Sequence, residues 1–210
     1  MQPIHKNELW HAELALLATI LMQLSLSNQL RLGPRYLVAG LELVLVFVLA
    51  FTAPRRHSTS AVVHKYIATI FIVLVSLANA VELAYLIKAL IDGTNLPGKT
   101  LLSQAIAIFL TNIIVFSLWY WELDSPGLSG ISKRRKRSHF QFPQNTTHKD
   151  ENWQPTFFDY LYLSITNSTA FSPTDTMPLS HIAKSLMSMQ SLVALLTVVL
   201  VTARAVNILA

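Results

Sequence analysis

The chain of 210 residues contains no cysteine, which excludes disulfides, thiolate nucleophiles and cysteine-held zinc or iron–sulfur centres. Packing and hydrogen bonds must hold the fold together. Charge is scarce as well: Asp, Glu, Lys and Arg make up 13% of the residues against 52% hydrophobic ones, where an ordinary soluble domain carries about 25% charge. That balance points to a membrane. Glycine is missing from residues 166–180 and again from 181–210, two stretches where its absence has consequences below. There is also no glycine-rich phosphate loop, no GxSxG nucleophile turn and no pair of loop carboxylates, so nothing suggests an enzyme. The seven histidines, at 5, 11, 57, 64, 139, 148 and 181, include no HExxH-type pair on one helical face, and neither a metal nor another cofactor is expected.

What is present is a series of apolar runs. A membrane-crossing helix needs ~20 mainly apolar residues. Residues 101–121, "LLSQAIAIFLTNIIVFSLWYW", carry no charge and end in aromatics of the kind that settle at a membrane interface. Residues 185–203 are likewise uncharged, and 66–87 and 36–53 each contain one acid, Glu82 and Glu42. A shorter, more polar run at 14–30 precedes Gly33-Pro34, which marks a turn. It is read as a helix rather than a cleaved signal, because its start is acid-containing and no small-residue cleavage site follows. The sequence therefore predicts an all-helical integral membrane protein with about five spans. Three of them fall in residues 1–99, and the rest belong to a second unit, 100–210.

One connection is long. Residues 122–156 contain "KRRKR" at 133–137 and a glycosylation-like Asn145-Thr146-Thr147, and their polar, turn-rich composition predicts a segment outside the bilayer. The net charge of +5 comes from basic residues clustered between apolar runs, which suits anionic lipid headgroups rather than nucleic acid.

After that loop the run from Thr156 to Asn167 allows only about three helical turns, too few to cross. Then comes "TNSTAFSPTDTMPLS", in which two prolines forbid continuous helix. A short helix, a non-helical loop and a full span (181–209) predict a re-entrant hairpin over 157–178. Such backbone is tolerated at membrane depth only where it is buried in protein or lines water.

The stretch from Phe158 to Leu209 resembles the pore helix, filter and inner helix of the two-transmembrane potassium-channel superfamily. Phe157, Asp159, Leu161, Tyr162 and Ser164 match its pore helix, Thr169 the first filter threonine, Asp175 the closing aspartate, and Pro178 stands three residues beyond it. The whole chain also resembles an uncharacterised family of bacterial membrane proteins, through "FSLWYWELD", "AFSPTDTMPL" and "ARAVNIL"; that resemblance implies the bacterial inner membrane. The first one implies a homo-oligomer, most simply a tetramer, with cations as its partners. Yet Ala170, Phe171, Ser172, Pro173 and Thr174 stand where the superfamily has "TVGYG". Both glycines are gone, and Pro173 holds φ near −65° with no N–H, so four stacked carbonyl sites are not expected. What remains is a wider mouth with hydroxyls from Thr169, Ser172, Thr174 and Thr176 around Asp175. Rings of Asp favour cations, so weakly selective cation passage is expected, with a non-conducting scaffold or a proton- or cation-coupled transporter as the alternative.

Other polar residues lie within spans. Gln190, Thr197 and Arg204 recur every seven residues on one helical face, either lining a lumen or bonding a neighbouring helix. Glu42 and Glu82 are each read as a buried ion pair, with Arg204 as counter-charge for either, as a protonated carboxyl hydrogen-bonded within the bundle, or as part of a proton or cation relay; Asn112 reads as interhelical glue. With five spans, Lys6, Arg55, Arg56, Lys65, Lys133, Arg134, Arg135, Lys136, Arg137, Lys149 and Lys184 fall on the side from which the hairpin enters. Arg31, Arg35, Lys88, Lys99 and Arg204 fall on the other. The positive-inside rule makes the first side cytoplasmic, whereas the channel resemblance points the hairpin outward.

Overall fold

The computed structural model describes residues 14, 15, 17, 18, 20, 21, 60–93, 97–124, 138–147, 153–170 and 175–209. Residues 14 to 21 are helical where described. The elements that follow are α1 (Ser60–Ile91), α2 (Gly98–Asp124), β1 (Phe140–Gln141), α3 (Gln144–Thr147), α4 (Phe157–Thr169), β2 (Met177–Pro178) and α5 (His181–Leu209). The protein is mostly helical, and three helices are long and apolar enough to cross a membrane: Tyr66–Ile91, Gly98–Asp124 and His181–Ala203. The expected span at 36–53 lies outside the described residues, as does most of 14–30.

α1 ends where the chain can leave a helix without strain. Gly93 has φ +66°, a value that costs glycine little. Asp92 donates its N–H to Lys88 O at 2.9 Å just before it. Pro97 then starts α2, its carbonyl taking the N–H of Thr100 at 2.9 Å. The return is antiparallel: Leu83, Leu86 and Ala89 of α1 form one apolar cluster with Leu101, Ala105 and Ile108 of α2, and Val193, Leu200 and Val201 of α5 pack against it.

α4 lies against both α2 and α5. Its 13 residues correspond to about 20 Å of helix, well short of a bilayer core of about 30 Å. The start is fixed by a Thr-x-x-Asp cap: the Asp159 carboxylate accepts the Thr156 backbone N–H at 2.7 Å and its hydroxyl at 2.8 Å. Its end is a plain αR residue, Ala170, whose N–H reaches Thr166 O at 2.8 Å.

The long connection, expected to lie outside the bilayer, also contributes to the core: Phe140 and Phe142 are buried with Tyr120, Trp121, Phe157 and Tyr160. Phe142 stands edge-on to Tyr160 at 5.4 Å between ring centroids, and Phe140 edge-on to Tyr120 at 5.2 Å. The "FQF" alternation puts both aromatics on one side of an extended segment, and burying rings of that size outweighs leaving the strand in water. β1 then pairs antiparallel with β2, Phe140 opposite Pro178 and Gln141 opposite Met177. The basic run 133–137 lies outside the described residues.

Candidate functional site

Two features flank residues 171–174 in the chain: a buried hydrogen-bonded knot on α4 before them and a clamp at β2 and the start of α5 after them. The knot is built on α4, where Ser164, Asn167 and Ser168 share one face by helical spacing and are all buried. α2 supplies Tyr120 and α5 supplies Gln190. The Gln190 amide oxygen accepts from the Tyr120 hydroxyl at 2.5 Å and from Asn167 Nδ2 at 2.9 Å. Its nitrogen donates toward Ser164 Oγ (2.6 Å), Ser168 Oγ (2.7 Å) and Ser164 O (3.0 Å). Asn167 Nδ2 also reaches Met187 O at 3.0 Å, and its Oδ1 accepts from Ser191 Oγ at 3.2 Å. Ser164 Oγ donates on to Ile113 O in α2 at 2.6 Å. One amide thus ties three helices at a depth where lipid offers no competing partner.

Gln190 is 0% exposed and Thr197 1%, and the Thr197 hydroxyl donates to Val193 O of its own helix at 2.8 Å. Both are enclosed within the single chain, and Gln190 bonds neighbouring helices. The side chain of Arg204 and the whole of Glu42 lie outside the described residues. The outward face of α5 carries Met189, Leu192, Leu195, Leu196 and Val199 instead.

The clamp starts at the end of α2. The Asp124 carboxylate accepts the Ser138 hydroxyl at 2.8 Å, the Tyr160 hydroxyl at 3.0 Å and the backbone N–H of His139. His139 Nδ1 lies 2.6 Å from Ser180 Oγ, which also caps α5 by accepting the Ala183 N–H at 3.1 Å. Leu179 N–H donates to His139 O at 2.8 Å. The chain leaving the hairpin is therefore fastened to the chain leaving α2.

Phe171, Ser172, Pro173 and Thr174 lie outside the described residues. Of their flanks, Thr169, Ala170 and Asp175 are exposed, while Thr176 is buried and its hydroxyl approaches Asp175 Oδ1 at 3.4 Å. The Thr169 hydroxyl donates to Ile165 O at 2.9 Å. Its proton is thus directed into the helix, and its lone pairs remain to accept. An oxygen in that state suits a cation, as does an exposed carboxylate such as that of Asp175.

Asn112 and Glu82 stand apart from this region. Asn112 is buried in α2 and Glu82 half-buried in α1. No group of three or more His, Asp or Glu poised for a metal occurs among the described residues. Sequence reasoning missed Tyr120, Asn167, Ser168, Asp124 and His139. The period of Ser164, Asn167 and Ser168 was a legible signal for the knot, but nothing in the sequence identified Asp124 as a clamp. No family model, curated protein or solved structure matches the chain.

Proposed function

We propose that this is a channel-like membrane protein in which copies of the chain, four by the most economical closed symmetry, bring their hairpin tips together and pass cations with weak selectivity. In this reading α2, the re-entrant α4 with its loop, and α5 form the pore unit. The helices before residue 99 surround it in a multi-pass arrangement of about five spans in a bacterial inner membrane. Thr169 to Thr176 converge on the axis, and Asp175 supplies the attracting charge. The resemblance of residues 158–209 to the potassium-channel pore unit supports it, with the filter glycines replaced and potassium-type selectivity lost.

The observation that carries the proposal is a contrast in burial. The body of α4 is locked inside its own chain through Gln190, yet its end and the returning Asp175 are left exposed. A single chain therefore ties α4 to α2 and α5 while leaving Thr169, Ala170 and Asp175 uncovered. That is what an assembly around a shared axis requires.

Planar-bilayer recording tests it. Wild-type protein is expected to carry cation current that Asp175→Asn reduces, with a smaller preference for cations over anions. Silence in both, from protein shown to be folded and oligomeric, rejects conduction. A second reading, a non-conducting scaffold, is favoured by the apolar outward face of α5, because Gln190 and Thr197 are engaged inside the chain and leave leucine and valine facing outward. Strictly monomeric protein in a mild membrane mimetic selects the scaffold.

A further inference from the structure

The buried amides of this protein fall into two groups. Around α4 the amide nitrogens and oxygens of Gln190 and Asn167 all find partners. Between α1 and α2 they do not. Asn79 (4% exposed) has an unpartnered Oδ1, Asn112 (2%) an unpartnered Nδ2, and Gln104 (2%) lacks partners at both amide atoms. Buried polar groups without partners are uncommon and each is costly, more so in a helix surrounded by lipid.

Two of these amides share a level. On α2, Asn112 continues the stripe Leu101, Ala105, Ile108 that packs on α1; on α1, Asn79 continues the stripe Ala89, Leu86, Leu83 that packs on α2. Because the helices run antiparallel, the next step along each stripe beyond Leu83 and Ile108 brings Asn79 and Asn112 opposite one another. The Trp119 Nε1 to Ser76 Oγ bond, 2.9 Å, closes the seam one turn further on. The orphaned atoms are complementary, one an acceptor and one a donor. Glu82, three residues from Asn79, adds a carboxyl with one enclosed oxygen to the same stretch of seam.

We infer that the seam between α1 and α2 is a binding site for water, held between Asn79 Oδ1 and Asn112 Nδ2 and adjacent to Glu82. Water can donate to the first and accept from the second at once, and buried waters occupy sites of this kind, with about three polar partners. A direct amide–amide bond would leave neither atom orphaned. The site lies inside one chain, so it does not depend on the channel reading or on how copies associate.

Radiolytic footprinting tests it, because a pulse of X-rays splits bound water in place and the hydroxyl radical oxidises the side chains touching it. Leu83 and Phe116 stand one turn from Asn79 and Asn112 on the same faces, and Leu118 on α2 is a dry control, buried in the core around the knot. In the wild-type protein in nanodiscs, with rates normalised to the unfolded chain, Leu83 and Phe116 are expected to oxidise faster than Leu118. The combined Asn79→Leu and Asn112→Leu variant is expected to lose that excess. Wild-type rates no higher than that of Leu118 overturn the inference, and so does an undiminished excess in the folded double variant. If the double variant does not fold, the wild-type comparison decides.

Discussion

Trp119 on α2 donates its indole N–H to the Ser76 hydroxyl on α1 at 2.9 Å, and the Ser76 hydroxyl in turn donates a hydrogen bond to Ile72 O at 2.6 Å. The pair sets the register of the two antiparallel spans near the end opposite the Gly93 turn. Trp119→Phe keeps most of the ring's packing and removes the donor. It is expected to cost about 1 kcal/mol, read as a lower midpoint of thermal unfolding in detergent, with Ser76→Ala costing no more.

Gln190→Leu is expected to destabilise the fold by about 2–4 kcal/mol, since it removes the acceptor of the Tyr120 hydroxyl, one of two acceptors of Asn167 Nδ2 and the donor to two buried serine hydroxyls. Thr197→Val, which removes only a bond within its own helix, is expected to cost less than about 1 kcal/mol. Comparing the two by unfolding in the same detergent checks the reading of Gln190 as an internal tie. Equal, negligible effects would return it to a solvent-facing role.

At the start of α4 the cap is separable from the core. Asp159→Ala removes the acceptor for the Thr156 N–H and hydroxyl and is expected to cost about 0.5–2 kcal/mol. Backbone exchange should rise in residues 157–160 before it rises in the knot. Hydrogen exchange resolved by mass spectrometry measures both.

Asp124→Ala is expected to release the clamp. The N–H groups of His139 and Leu179 should exchange faster, while those of α1 change little. Asp175→Asn, at an exposed position, is expected to alter unfolding by no more than about 0.5 kcal/mol. Any loss of current in that variant can then be attributed to charge rather than to misfolding.

The spans were legible because a run such as 101–121 has no charge and no breaker, and lipid leaves helix as its main option. The short α4 was legible too: Thr156 and Asp159 announce its start, and Pro173 and Pro178 bound the stretch in which it must end. Phe140 and Phe142 were not, because two aromatics in a polar loop read the same whether they cover a core or face a partner. Gln190 was identified as a polar residue on a helical face. Periodicity says which residues share a face but not what the face meets, and so the choice between a lumen and the α4 amide face needed coordinates. At the tip, Thr169 and Asp175 were placed by resemblance, and their exposure was beyond any pattern in the chain.

The Asp124 to Ser138 bond holds the two residues that flank the basic stretch within one hydrogen bond of each other. With both of its ends fixed at one carboxylate, the intervening residues can be shortened, lengthened or exchanged for a fluorescent or affinity insert without pulling on the spans. That is the place on this molecule to attach a reporter.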